Sequence, residues 1–184
     1  MLINRISPIH NRKKIQGNHE LAVLNEFINW FNSQSHEEFK IIERPDPPDA
    51  IIKGKDRIEW LEHTVAYRSP EEAQEELSLV TPGEKPSHRK EHPIIDPDER
   101  IAAVVVNNLH FKLKKDSYKT VYEKYGQGTL ILSERDPLFC SETLDNIKTA
   151  LISYFFVGDR GYFKQAYLCI RSNGSYYFED IYKK

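Results

Sequence analysis

The 184 residues, 39% of them apolar, are enough for one domain with a sizeable core. Charged residues of both signs make up 29%, and nine Phe, ten Tyr and two Trp exclude a disordered chain. A formal net charge of -2 excludes an overall basic field, so a polyanionic partner would have to meet a local positive surface.

The first 17 residues are polar and read as a tail. Leu21, Leu24, Ile28 and Phe31, flanked by Val23, Phe27 and Trp30, recur at helical spacing and predict an amphipathic helix from about Asn18 to Asn32. Phe39, Ile41 and Ile42 make a short strand. The prolines of the run ERPDPP that follows forbid helix and leave few donors for a sheet. Asp49 to Ile52 reads as a second strand, Lys53-Gly54-Lys55-Asp56 as a hairpin turn, and Arg57 to Val65 as a third strand, antiparallel to the second. Pro70 opens a short acidic helix that stops at Thr81-Pro82-Gly83. Residues 81–97 form a polar loop insertion, either a flap over a site or an ordinary surface loop. Asp98 can cap a long helix through Ile101, Val104, Val105, Leu109 and Leu113 to about Tyr125, ended by Gly126 and Gly128. Thr129 to Ser133 is apolar enough for a buried central strand, and Ser141 opens a helix with Leu144, Ile147 and Leu151. Strands near Phe163 to Arg171 and Tyr176 to Tyr182 flank the turn Ser172-Asn173-Gly174-Ser175.

Cys140 and Cys169 fall in different elements, with no CxxC pair and no zinc spacing to histidine, which suits a reducing cytoplasm. No apolar run has the length of a signal peptide or a membrane span, so no membrane partner is expected. Two basic clusters stand out: Lys112, Lys114, Lys115, Lys119 and Lys124 in one, and His88, Arg89 and Lys90 in the other. Each is a solvated surface or a phosphate-binding one. Tyr176, Tyr177, Phe178 and Tyr182 can stack bases or pack the sheet.

The carboxylates carry the chemistry. Asp49 begins one strand and Glu62 lies in the next, with a tight turn between. Pairing those strands brings both acids together, here expected at the edge of a mixed sheet. Such a pair suits a hard cation, which keeps waters and takes a substrate phosphate as a further ligand. Thr64 shares the face of Glu62, whereas His63 points away and reads as structural, or as a base only in another register. Asp46 competes with Asp49, but Asp49 leads directly into Ala50-Ile51-Ile52. A strand of buried pattern such as IEWLEHT has no inexpensive reason to hold Glu59, Glu62 and His63, because an unpaired buried carboxylate is costly.

The run ERPDPPDAIIKGKDRIEWLEHT resembles the core of the PD-(D/E)xK, or restriction-endonuclease-like, proteins: an aspartate after a proline-rich bend, a hairpin, then a strand with acid-x-lysine. The likeness spans roughly Asn18 to Ser133. It implies an α/β domain with a central mixed β-sheet flanked by helices and an αβββαβ core, to which the C-terminal helix and strands are additions. It implies Asp49 and Glu62 as ligands of Mg²⁺ or Mn²⁺, with Glu43 as a further acid, and hydrolysis of phosphodiester bonds in DNA or RNA. The chain departs from the pattern at Glu62-His63-Thr64, where threonine replaces the motif lysine. Some members that carry Thr there resemble this chain and draw a cation from the following helix. Lys112, on one face with Ile101, Val105 and Asn108, is the first choice, and Lys115 the second; the alternative for Lys112 is a solvent-exposed helix charge. The competing function is a decayed nuclease fold that binds nucleic acid or protein, as a homodimer or beside a partner in a defence or mobile-element system.

Overall fold

The computed structural model describes residues 8–35, 37–67, 69–82, 84–85, 96–134, 139–155 and 161–183. Its elements are α1 (Pro8–Gln34), β1 (Lys40–Glu43), β2 (Ala50–Lys53), β3 (Ile58–Val65), α2 (Pro70–Val80), α3 (Pro97–Leu113), α4 (Lys119–Tyr125), β4 (Gly128–Glu134), α5 (Ser141–Phe155), β5 (Phe163–Ser172) and β6 (Ser175–Lys183). One turn of 3-10 helix, Asp116–Tyr118, joins α3 to α4. The six strands form one sheet in sequence order. β1, β2 and β3 run antiparallel, β3, β4 and β5 parallel, and β6 antiparallel to β5. The domain is therefore α/β with a mixed sheet flanked by helices. Among the described residues no helix is long and apolar enough to cross a membrane.

Strand alternation divides the core between the two faces of the sheet. Ile51, Trp60, Leu130 and Leu132 pack under α3 and α5 with Val105, Leu109, Ile147 and Leu151. Ala50, Ile52, Leu61, Ile131 and Tyr167 pack under α1 with Val23, Leu24 and Phe27. β4 is buried at every position because helices cover both of its faces. The turn between β5 and β6 places Asn173 (φ 50°) and Gly174 (φ 81°) in the left-handed region, as a two-residue hairpin of the primed type requires.

Three sequence expectations change. α1 begins at Pro8 rather than Asn18, so residues 8–17 are helix and not tail. Arg12 pairs with Glu84, and Arg44 donates to the Gly17 carbonyl at 3.3 Å, which anchors this polar extension without an apolar stripe. The long helix breaks after Leu113, and the 3-10 turn buries Tyr118 against Trp60, with ring centroids 5.7 Å apart. Asp98 does not cap α3. Its carboxylate accepts from Thr143 near the start of α5, while Asp96 holds the N-cap position with no side-chain bond. The remainder of the 81–97 loop, with His88, Arg89 and Lys90, and the first seven residues lie outside the described residues.

Candidate functional site

The hairpin places the acids. Antiparallel pairing sets Ala50 opposite Leu61, and one further step in that register sets Asp49 opposite Glu62. Beyond Leu61, β3 is flanked by β4 on one side and by no described strand on the other. The acids were expected at the sheet edge, but β3 is interior. The opening exists because β2 is short, which exposes the flank of β3 from Glu62 onward. A cleft of about 450 Å³ occupies that place. α1 lines it with Ile15, His19 and Glu20, α2 with Glu76, Leu77 and Val80, and the end of α3 with Lys112.

Glu62 is 5% exposed. Its Oε1 accepts from Lys112 Nζ at 2.7 Å and from the Tyr118 hydroxyl at 2.7 Å. Its Oε2 is buried and accepts no hydrogen bond from the described residues. An ionised carboxylate with one oxygen satisfied and the other orphaned is costly unless something else coordinates it. Asp49 Oδ2 accepts from the backbone N–H of His63 at 2.7 Å. Burial, and then repulsion by Glu62, push the Asp49 carboxyl up to about 7, against the lowering effect of that N–H. Burial is also the main cause that raises Glu20, with Arg44 opposing it at 3.6 Å. The Tyr118 hydroxyl is held far above the usual phenol range by burial and by the Glu62 charge it bonds to.

The structure gathers Asp49, Glu62, Thr64, Lys112, Lys115 and Asp46 into the lining of one cleft. Lys112 is not a solvent-facing helix charge, its side chain being 15% exposed against Glu62. Lys115 is exposed, its Nζ 5.7 Å from the centre of the Tyr118 ring. Glu43 is exposed on β1, opposite Ile51, and does not line the cleft. His63 turns to the other face of β3, as alternation requires, with Nε2 2.8 Å from Ser133 Oγ and its ring 5.8 Å from that of His19. It nevertheless lines the cleft, because the cleft wraps the flank of the strand. Glu59 is neutralised by two cations, Lys164 at 2.8 Å and Arg57 at 3.2 Å, although its buried Oε1, the oxygen nearer Arg57, makes no hydrogen bond among the described residues; unlike Glu62 it does not line the cleft.

Sequence reasoning missed Glu20 and Tyr118. Glu20 sits on α1 beside residues that read as surface, and only the packing of α1 over β3 turns it inward. Tyr118 was one aromatic inside an apparently continuous helix, and the break after Leu113 delivers it to Glu62.

Among the described residues no three His, Cys, Asp or Glu side chains make a ready cage for a metal ion. What they do offer is two carboxylates, one with an orphaned oxygen, opening on a cleft. That fits a hard cation which keeps waters and leaves room for a phosphate oxygen. Compared with known proteins, the chain matches no family model, no curated protein and no solved structure.

Proposed function

We propose that the chain is a metal-dependent phosphodiesterase acting on DNA or RNA in a reducing cytoplasm, a divergent relative of the PD-(D/E)xK nucleases. The observation that carries this reading is Lys112 Nζ at 2.7 Å from Glu62 Oε1 while Glu62 Oε2, buried, has no hydrogen-bond partner among the described residues. A cation from a helix thus stands on Glu62, in a cleft whose strand motif offers only Thr64 in place of a lysine.

Asp49 and Glu62 would hold Mg²⁺ or Mn²⁺, which supplies Lewis acidity to the phosphate and lowers the pKa of a bound water. The other roles belong to the chain's own groups. Tyr118 and Lys112 fix the Glu62 carboxylate by bonding one of its oxygens. Lys112 neutralises negative charge as it grows on the non-bridging phosphate oxygens. The Thr64 hydroxyl, on the Glu62 face, orients water or phosphate. Glu20, on the α1 wall, takes up a proton from the attacking water as the new P–O bond forms and the P–O bond to the leaving sugar oxygen breaks, that oxygen taking its proton from solvent in the open cleft.

Calorimetry with Mn²⁺ tests the acids and single-turnover cleavage of labelled DNA and RNA tests the chemistry. Binding and cleavage are expected in wild type and in neither case in Asp49→Ala. Cleavage that survives Asp49→Ala would sink the assignment. A second reading, a decayed nuclease fold that binds nucleic acid or a protein partner, draws on the same ion pair. Lys112 and Tyr118 already satisfy one Glu62 oxygen and offset its charge without a metal. No heat with Mn²⁺ and no cleavage by wild type would favour it.

A further inference from the structure

The end of α3, the 3-10 turn and α4 carry Lys112, Lys114, Lys115, Lys119 and Lys124 against two acids, Asp116 and Glu123. Lys112 and Lys115 line the cleft, and Lys114, Lys119 and Lys124 continue from it as exposed residues. Aromatic rings are interleaved with these cations. Phe111 is 69% exposed and Tyr122 40% exposed. Phe111 lies in the last turn of α3, just before Lys114 and Lys115, and Tyr122 meets Tyr162 edge-on, with centroids 5.5 Å apart. Another wall of the same cleft has the opposite charge: α2 holds Glu71, Glu72, Glu75 and Glu76 and no basic residue.

Solvated lysines account for the charge; Phe111, and the part of the Tyr122 ring that Tyr162 leaves uncovered, add aromatic surface beside them. Cations that follow a phosphate backbone, with aromatic faces between them for bases, are the arrangement that binds unpaired nucleic acid. A duplex covers its base faces by its own stacking and offers such rings nothing to stack on. The acidic α2 wall repels a polyanion, so approach is favoured from the α3–α4 side. We propose that this ridge is the landing surface for single-stranded nucleic acid, which it feeds to the Asp49–Glu62–Lys112 cleft. The proposal rests on the reading of that cleft as a phosphodiesterase site, and it adds the substrate class and its route.

The test is fluorescence anisotropy of the full chain with a labelled single-stranded DNA, a single-stranded RNA and a DNA duplex in EDTA, across a salt series. Either single strand is expected to bind more tightly than the duplex. Phe111→Ala and Tyr122→Ala should each weaken single-strand binding about tenfold with the salt slope unchanged. Lys119→Ala with Lys124→Ala should flatten that slope by about 1.4, roughly 0.7 for each lost phosphate contact. Lys53→Ala with Lys55→Ala, an equal charge loss at the exposed end of β2 and its turn to β3, should leave binding as in wild type. These side chains are exposed, so thermal melts serve to show that each variant is folded. Equal or tighter duplex binding, wild-type affinity in the ridge variants, or no binding at low salt each overturns the proposal. Cleavage in Mn²⁺ separates the two readings. Turnover with an inert ridge would keep the nuclease and lose the ridge, and ridge-dependent binding without turnover would do the reverse.

Discussion

Water leaves Asp49 as the proline-rich bend folds against β3, and Glu62 repels its charge, so its proton is held to about pH 7. The folded value lies above the reference of 3.8, so the folded chain binds this proton more tightly than the unfolded chain does. The stability it contributes is complete below the unfolded value and is lost as pH rises toward about 7. Asp49→Asn keeps an acceptor for the His63 N–H and removes the charge. It should raise Tm at pH 8 by about 2–4 °C, as for a gain near 1 kcal/mol in a chain of this size, and have no effect below about pH 3. An unchanged Tm at pH 8 would contradict this account of Asp49. Metal needs the ionised form, so wild-type affinity for Mn²⁺ should climb between about pH 5.5 and 7.5 and then level off. Lys112 has a different signature. If it stabilises charge that develops only in the transition state, Lys112→Ala should lower single-turnover kcat about 10²-fold with little change in substrate affinity. Weaker binding with turnover intact at saturation would instead make Lys112 a contact of the ground state.

β3 passes close against the start of β4. A Cβ on Gly128 would stand 2.3 Å from the Trp60 indole, whose Nε1 donates to the Gly126 carbonyl at 2.8 Å. Gly128→Ala should therefore cost about 3 kcal/mol in urea unfolding, since neither the ring nor the strand can retreat. Gly17→Ala, in the middle of α1 with nothing near its added methyl, should gain about 0.5–1 kcal/mol. Equal stability in the two variants would refute this packing. Gly128 read in the sequence only as a helix stop. Strands were legible because β-branched and aromatic residues alternate between turn residues, and the order of elements held except where one expected helix became α3, a 3-10 turn and α4. That break carries no Gly or Pro. Leu113, Tyr118 and Val121 keep near-helical spacing, and only the demand to bury Tyr118 beneath Trp60 reveals the step. The paired acids were legible from hairpin register, whereas Glu20 needed a helix to be docked first. Lys112 was reached through a resemblance and a shared helical face, and its contact with Glu62 is a matter of tertiary approach.

Across the whole molecule the sheet joins two kinds of pairing. β1–β2–β3 and β5–β6 close through short turns, but β3 and β4 lie side by side only after the chain from α2 through α4 has crossed between them. Leu61 pairs with Thr129, while Glu20, Asp49 and Glu62 reach the cleft from the chain before that crossover and Lys112 from α3 within it. Closing so long a loop is entropically costly and sets a slow step. The order of events on folding then limits when a cation can be felt. The hairpin pairs Asp49 with Glu62 early, but Lys112 and the walls that bury the two acids arrive only with that closure, so bound metal should stabilise the native state and leave the barrier to reaching it alone. In stopped-flow measurements Mn²⁺ should slow the unfolding limb in proportion to its saturation and leave the refolding limb unmoved. Faster refolding in Mn²⁺ would mean that Asp49 and Glu62 gather the ion within the hairpin alone, before β4 arrives.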